Sequence, residues 1–281
     1  MSALALGLIA ALCWGIHDIT IRYLSRSVPL LAALLTVLLV GAVFQLGAIL
    51  ILGESIRVPM QALWLAIGAG ISFLVASLGL YFAFERGPVR LVAPLIASYP
   101  ILSVSFAVLL GAQITFAQIV AVLAIVVGVG IVAALSDGSD DDTPPIWPTI
   151  GLSLIAAAGF ASTFKLGQLA ALAGPELPTT MVARLTALVL LIIVVLLRGA
   201  RSWPGRRALF PLFVMGTLDG VALMAVISAA PLPNPEYAAV ASSTFGLLTI
   251  LLAWLFLREK MSLSQWGGCI LAFSGIAYLA L

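Results

Sequence analysis

The first apolar stretch carries four side chains whose types and spacing could do chemistry. Trp14, Asp18 and Arg22 recur at intervals of four residues, and His17 precedes Asp18. A helix over 3–24 would place Trp14, Asp18 and Arg22 on one stripe, with His17 beside it. Ionisable groups inside an apolar span are costly and often mark substrate or proton pathways. Two interpretations follow: Asp18 and His17 contact a substrate or proton, or they only bond neighbouring helices while Arg22 reaches the membrane surface.

Three further ionisable residues interrupt apolar stretches in the second half of the chain. With a rise of about 1.5 Å per residue, Lys165 and Arg184 fall in the outer third of the membrane, and Asp219 falls near its midplane. Asp18 falls in the inner third, so we expect Lys165 to pair with Asp219. Two cations at similar depth require water, an acidic side chain or an anionic substrate group. A substrate carboxylate would meet that requirement, and the alternative is a structural bond to helix-end carbonyls.

Hydroxyl and aromatic side chains elsewhere complete a candidate central cavity. Ser77 and Tyr81 share one helical face, Ser98 and Tyr99 are adjacent, and Thr244 lies in the matching part of the second half. Such groups could hold an apolar substrate moiety, although aromatic residues in membranes also serve as packing or interface anchors. The candidate substrate-binding residues are Trp14, His17, Asp18, Ser77, Tyr81, Ser98, Tyr99, Lys165, Arg184, Asp219 and Thr244. No metal site or cofactor is expected.

Two prolines predict a bending element. Pro94 and Pro100 each remove a backbone hydrogen bond in mid-helix. The matching place in the second half holds Ser242, Ser243, Thr244 and Gly246. Static kinks are the alternative interpretation.

Glycines near the end of each half favour close helix packing. Gly128, Gly130, Gly268 and Gly275 could pack helices within one chain or form a homodimer contact. Partners are otherwise expected to be a small-molecule substrate and the lipid bilayer, with no nucleic acid.

The composition excludes a soluble protein. Of the 281 residues 63% are hydrophobic and 9% are charged, whereas roughly 25% charged residues are usual in soluble domains. The mean hydropathy is +1.24. The first apolar stretch lacks a basic leader and a clear cleavage site, so we expect it to remain as a span. Cys13 and Cys269 lie in apolar runs and are expected to be packing residues.

Stretches long enough to cross a bilayer occur ten times. About 20 apolar residues are needed to span the hydrocarbon core as a helix. Breaking the apolar runs at charges, Pro and Gly predicts an all-α membrane protein with ten transmembrane helices near 3–24, 28–52, 62–84, 91–110, 114–135, 149–171, 178–197, 208–229, 235–256 and 263–281.

The basic residues predict the topology. Loops after odd-numbered spans hold ten Lys or Arg residues, from Arg22 to Lys260, whereas loops after even-numbered spans hold only Arg57. Because basic loops face the cytoplasm, both termini are expected to be periplasmic, in a bacterial inner membrane.

The chain divides at an acidic, proline-containing segment over Ser136–Pro148. A shift of 146 to 147 residues aligns several features on its two sides, among them Gln118 with Gln265 and Gly128 with Gly275. We therefore predict two five-helix repeats, 1–135 and 149–281, joined by a cytoplasmic linker over 136–148. Because five is odd, the second repeat enters the membrane inverted, as in many secondary transporters.

The end of each half resembles the drug/metabolite transporter superfamily, in its EamA-like group. The resemblance is carried by Glu85–Ala133 and by its repeat Asn234–Ala280, in which the usual Gly-Glu pair appears as Arg258-Glu259. The corresponding acidic position of the first half is Ala112. The resemblance implies ten helices and transport, and within bacterial members it is greatest to amino-acid exporters, including the aromatic amino-acid and methyl viologen type.

The expected function is therefore secondary active or facilitative export of amino acids by alternating access around a central cavity. The alternative is proton-coupled efflux of lipophilic cations or other small metabolites, with Asp18 or Asp219 exchanging proton for substrate. An enzyme is not expected, because the chain has a single histidine and neither a zinc motif nor a serine nucleophile elbow.

Overall fold

Helices form every regular element in the described part of the chain. The computed structural model describes residues 1–25, 27–102, 115–135, 145–199, 202–233 and 235–279. Most of the predicted linker, 136–144, lies outside these residues, as do the end of the predicted span 91–110 and the position of Ala112. The helices of the first half are α1 (Ala3–Leu24), α2 (Leu30–Leu52), α3 (Met60–Arg86), α4 (Val89–Ala97) and α5 (Phe116–Ala134).

The second half repeats this order of elements. Its helices are α6 (Ile146–Ala173), α7 (Glu176–Leu197), α8 (Arg206–Ile227), α9 (Glu236–Ser242), α10 (Phe245–Leu252), which continues as a π-helical turn over Ala253–Leu257, and α11 (Leu263–Leu279). Helix starts in the two halves correspond: Leu30 and Glu176 are 146 residues apart, and Phe116 and Leu263 are 147 apart. Among the described residues, seven helices are long and apolar enough to cross a membrane, with α9, α10 and the π-helical turn counted together.

Prolines account for most helix starts. A proline caps α2, α3, α4, α6, α7 and α9, and its ring fixes a backbone angle suited to helix entry. The caps at Pro29 and Pro175 are symmetry counterparts. Helix α2 ends at Gly53, whose positive φ of 65° closes the last turn without a side-chain clash. Local chemistry therefore sets the helix boundaries.

Helices from opposite halves pack against each other in symmetric pairs. Helix α1 packs against α8, and α3 packs against α6, which is the equivalent contact with the halves exchanged. Helix α5 packs against its own counterpart α11. The apolar core therefore lies between the two halves.

The glycines predicted to allow close helix packing lie mainly at helix contacts within the chain. A Cβ at Gly128 would meet the backbone at Gly268 and Ala272, and one at Gly275 would meet the backbone of Ala121. Gly130 has nothing within 4 Å of that position among the described atoms. Three of the four glycines thus pack α5 on α11 within the chain, and the homodimer contact through the four stays a prediction.

Both halves contain an interrupted helix at the same place. Helix α4 contains Pro94 and ends at Ala97, Ser98 forms a turn, and helical structure resumes over 99–102, which includes Pro100. In the second half α9 ends at Ser242 and α10 begins at Phe245. At both places the backbone N–H groups bond the carbonyl three residues earlier, as from Ser98 to Leu95 and from Ser243 to Val240, so the regular α-helical pattern is interrupted.

Candidate functional site

A cavity lies between the halves where the helices of both converge. Its volume is about 20 Å³, which is room for about one water molecule. Seven of the fifteen lining residues are aromatic, and two are carboxylates. The lining consists of Trp14, His17, Asp18, Leu34, Val37, Leu38, Phe73, Ser77, Leu80, Tyr81, Tyr99, Phe160, Phe164, Asp219 and Phe245. We call it the central cavity.

One wall of the central cavity is a polar cluster from α1 and α3. The two ring nitrogens of His17 lie 2.9 Å from Asp18 Oδ1 and 3.2 Å from the Tyr81 hydroxyl. Asp18 is 1% exposed, and its Oδ2 has no hydrogen-bond partner among the described residues. A buried carboxylate oxygen without a partner is costly. Asp18 therefore offers the central cavity one unsatisfied acceptor.

A second polar group comes from α7 and α8. Arg184 Nη1 donates to Asp219 Oδ2 at 2.7 Å, and Nη2 is 3.4 Å from the Asp219 carbonyl oxygen. The Trp14 indole Nε1 donates to the other carboxylate oxygen, Oδ1, at 3.1 Å. Arg184 is fully buried, at 0% exposed. Both oxygens of Asp219 are thus occupied, in contrast to those of Asp18.

Aromatic rings surround the Trp14 indole. Its ring centre lies 5.4 Å from that of Phe164 in a stacked arrangement, 6.3 Å from Phe160 and 6.4 Å from Phe245. Tyr99 contacts Phe164 edge-on at 5.3 Å. Such geometries are the favourable ones for aromatic pairs. Aromatic side chains therefore form the apolar wall of the central cavity.

The structure brings seven of the eleven candidate residues to the central cavity. The seven are Trp14, His17, Asp18, Ser77, Tyr81, Tyr99 and Asp219. Arg184 is connected to the cavity through Asp219. Ser98 and Thr244 bond carbonyls of their own helices, those of Leu95 and Ala241, at the two helix interruptions.

The predicted pairing of Lys165 with Asp219 is wrong. Arg184 occupies the Asp219 carboxylate, whereas the Lys165 side chain is exposed and does not line the central cavity. Lys165 and Arg184 were predicted at similar depths in the membrane. Depth does not show which way a side chain points around its helix or how far it reaches, so it could not decide which cation pairs with Asp219. The guanidinium of Arg184 instead fits against α2, where Gly41 leaves space that a Cβ would fill.

Sequence reasoning missed the apolar lining residues. Phe160 and Phe164 are one turn apart on α6, and Phe73 and Phe245 complete the aromatic wall of the cavity. Phenylalanines in an apolar helix carry no pattern that separates a cavity wall from a packing surface. The repeat contained a usable signal, because Phe160 and Phe164 occupy the positions equivalent to Trp14 and Asp18.

Tyr99 connects the two helix interruptions. Its hydroxyl donates to the Ala239 carbonyl at 2.6 Å and lies 2.5 Å from the Ser242 hydroxyl. Tyr99 directly follows the turn at Ser98, and Ser242 is the last residue of α9. One hydrogen-bonded side chain therefore couples the helix interruptions of both halves.

Tyr99→Phe should loosen this coupling with a modest loss of stability. The change removes one hydroxyl but keeps the ring against Phe164, so we expect the unfolding free energy to fall by about 0.5–1.5 kcal/mol. Thermal unfolding of the purified protein would measure the loss. Ser162→Ala is a matched control, because that hydroxyl is exposed and bonds only its own helix. Equal stability of the two variants would contradict the coupling.

A second polar contact joins the two halves at one end of the bundle. The Glu259 carboxylate accepts from the backbone N–H of Val89 at 3.2 Å and of Arg90 at 3.4 Å, at the start of α4. It also lies 3.6 Å from Arg22 Nε. Arg22 in turn donates to the Phe84 carbonyl at 2.6 Å. We call this contact the Glu259 latch; it lies at the end predicted to be cytoplasmic.

The helices and the central cavity together define a multi-pass membrane protein with an enclosed polar and aromatic site between two halves. The EamA-like transporter family model matches residues 1–134 and again residues 147–281. The chain belongs to the EamA-like transporter family.

The chain is also similar to two individual proteins. An uncharacterized transporter of Archaeoglobus fulgidus is 24% identical over 283 residues, which cover 100% of this chain and 99% of that protein. A protein of known crystal structure is 19% identical, with a TM-score of 0.74 over 98% of this chain and 95% of its own. The solved structure shares the fold.

Proposed function

We propose that the protein is a secondary transporter that exports small organic solutes across the cell membrane by alternating access at the central cavity. Its substrates carry a positively charged nitrogen on an apolar body. Ten spans, an inverted second repeat and periplasmic termini in a bacterial inner membrane complete the proposal. The observation that carries it is the unsatisfied oxygen of Asp18 inside a ring-lined cavity of a transporter-family protein.

The charge of the central cavity favours a cationic group. Asp219 is neutralised by Arg184, while Asp18 has only His17 on one of its oxygens. A carboxylate in a low-dielectric cavity requires a proton or a cation. Aromatic faces add attraction for a cationic nitrogen and cover an apolar body. The second oxygen of Asp18 is therefore the proposed contact for the substrate nitrogen.

Amino acids and lipophilic cations both offer this nitrogen. Among the described lining residues there is no Lys or Arg, so the proposed recognition of a carboxylate by Lys165 or Arg184 loses its support. Amino acids with apolar or aromatic side chains remain the predicted substrates through their ammonium group. Lipophilic cations are the second candidate, because they need no receptor for a carboxylate.

Substrate binding requires the central cavity to widen. Its volume of about 20 Å³ is far below the roughly 300 Å³ at the lower end of ligand pockets. The interruptions at Ser98 and between α9 and α10 are the proposed bending points, and Pro94 and Pro100 lie on either side of the first. Bending there would move α4 and α10 without unfolding the rest of the bundle.

The Glu259 latch would have to break whenever its end of the bundle opens. Its carboxylate satisfies the first N–H groups of α4 and adds a charge that favours the positive end of the helix. Arg22 supplies the opposing charge from α1. The proposed alternation therefore exchanges this latch for contacts at the other end.

Glu259→Gln should favour opening at that end. The variant loses the charge but keeps one acceptor, and a charge at a helix terminus contributes about 0.3–1 kcal/mol, which corresponds to a two- to fivefold change in the open population. Maleimide labelling of Ser25→Cys, a buried position at the end of α1, should accelerate by that factor. Glu85→Gln, an exposed residue near the same end, is the control. Unchanged labelling would argue against the latch.

Three matched compounds test the proposed function. Phenylalanine carries ammonium and carboxylate, phenethylamine carries only the amine, and 3-phenylpropanoate carries only the carboxylate. Counterflow of each labelled compound would be measured in liposomes containing the purified protein. We expect phenethylamine to exchange and 3-phenylpropanoate neither to exchange nor to compete.

The outcomes of this comparison distinguish the candidate substrate classes. Exchange of phenylalanine together with phenethylamine supports amino-acid transport, and exchange of phenethylamine alone supports lipophilic cations. Competition by 3-phenylpropanoate as strong as that by phenethylamine would overturn recognition of a cation. Absence of any exchange by folded protein would contradict the proposed function for this substrate class.

Lys165→Ala should transport as wild type does. The side chain is exposed and lies outside the cavity lining, so its removal leaves the proposed binding groups intact. Initial rates of phenethylamine and phenylalanine counterflow would measure this. Selective loss of phenylalanine exchange would restore a role for Lys165 in binding the carboxylate.

A further inference from the structure

We infer that the buried Arg184–Asp219 pair is a positioning device: it fixes the Trp14 indole as a flat wall of the central cavity and so selects substrates with a planar ring. The selectivity part of this inference rests on the proposed function; the positioning part does not. The inference begins from a chain of contacts. Arg184 holds one oxygen of Asp219 at 2.7 Å, and Asp219 holds the Trp14 N–H at 3.1 Å with the other.

The repeat shows that the fold does not need this ion pair. With the shift of 146 residues, the counterparts of Trp14, Arg184 and Asp219 are Phe160, Leu38 and Phe73. All three counterparts are buried and line the same central cavity. At the two positions where the second half has the buried pair Arg184 and Asp219, the first half thus has the apolar Leu38 and Phe73. Because buried ion pairs stabilise little compared with apolar side chains, stability does not explain the pair.

The surroundings make room for the pair and keep it rigid. A Cβ at Gly41 would lie 2.8 Å from the Arg184 guanidinium carbon, so only glycine leaves this space open. The guanidinium also lies over the Phe73 ring, 5.4 Å from its centre. The Asp219 carboxylate is thus held between the Arg184 guanidinium and the Trp14 indole.

The consequence for Trp14 is a fixed ring plane. An indole with a bound N–H cannot turn about its side-chain bonds without losing that bond, and Trp14 also stacks on Phe164 at 5.4 Å. A fixed flat surface favours a planar ring over a puckered one, since aromatic pairs gain energy only in defined geometries. Arg184 and Asp219 are thus positioning residues, and Trp14 is the residue that contacts substrate.

Four variants separate positioning from stability. Arg184→Met with Asp219→Leu replaces both charges by apolar groups, so no charge is left unpaired. Arg184→Met with Asp219→Asn restores an acceptor for the indole without a charge. Trp14→Phe keeps a ring but has no N–H. Trp147→Phe, an exposed tryptophan at 77%, is the control.

Two measurements on these variants test the inference. The first is the indole N–H resonance of Trp14 in the ¹⁵N-labelled protein, assigned by its loss in Trp14→Phe. It should shift upfield in the Met/Leu variant and return toward its original position in the Met/Asn variant. The second is the KM of counterflow for phenethylamine and for 2-cyclohexylethylamine. Wild type should prefer the planar ring by about three- to tenfold, and the Met/Leu variant should lose that preference.

The outcomes separate a failure of this inference from a failure of the proposed function. Restored preference in the Met/Asn variant would support positioning, because a purely structural role would not recover with the acceptor alone. An unchanged indole resonance in the Met/Leu variant, or an unchanged preference in protein that transports, would overturn the inference. If neither amine exchanges with wild type, the proposed function fails for these substrates, and the indole resonance alone decides whether the pair positions Trp14.

Discussion

Arg184→Ala should be the most destabilising single substitution in the site. It leaves the Asp219 carboxylate, 5% exposed, without its cation. Breaking a buried pair by removing one partner typically costs about 3–5 kcal/mol. The unfolding free energy of the purified variant, from denaturant or thermal unfolding, should fall by that amount. Replacing Arg184 by Met and Asp219 by Leu together should recover most of the loss, because no unpaired charge remains.

Arg57→Ala provides the comparison for Arg184→Ala. The same side chain is removed from an exposed loop, where a lone charge contributes little. If Arg184→Ala proves no less stable than Arg57→Ala, the Arg184–Asp219 ion pair does not form in the protein. A double variant less stable than Arg184→Ala would equally contradict the argument.

Asp18→Asn should lower exchange of phenethylamine more than any other conservative change in the central cavity. The amide keeps the size of the side chain but loses the charge that the substrate nitrogen would contact. Removing one partner of a buried charge pair costs about 2–5 kcal/mol, so the apparent affinity should fall by about 30-fold or more. KM in counterflow and competition by unlabelled amine would both measure this.

Glu85→Gln tests whether loss of any carboxylate has this effect. Glu85 is exposed at the end of α3, outside the central cavity. The Glu85→Gln variant should therefore exchange phenethylamine with the kinetics of wild type. Normal phenethylamine affinity in Asp18→Asn would remove Asp18 from the binding site. The proposal for cationic substrates would then fall, although the family assignment would not.

The helix boundaries were largely predictable because local chemistry sets them. The predicted spans 28–52, 178–197 and 208–229 agree within a few residues with α2, α7 and α8. Prolines at the helix starts and charges near the ends are visible in any single sequence. The split of the ninth span into α9 and α10 was foreseen only as a bending point, because hydroxyl residues do not by themselves break a helix.

The site was predictable where charge made it conspicuous. Asp18 and His17 stand out because ionisable groups are costly in a membrane, and both line the central cavity. The partner of Asp219 was not predictable, since span positions give depth but neither rotation nor side-chain reach. Phe160 and Phe164 were missed because an apolar residue in an apolar helix is unremarkable by itself; only their equivalence to Trp14 and Asp18 in the repeat could have placed them at the cavity.

A bound-ligand structure tests the central claim most directly. Crystals of the protein soaked with 4-bromophenethylamine would locate the bromine by its anomalous signal and the nitrogen by its density. We expect the nitrogen within hydrogen-bond reach of Asp18 Oδ2, the ring against Trp14 and Phe164, and a cavity wider than the present 20 Å³. The signal should disappear in Asp18→Asn. A bromine site outside the central cavity, or one that Asp18→Asn leaves unchanged, would contradict the account.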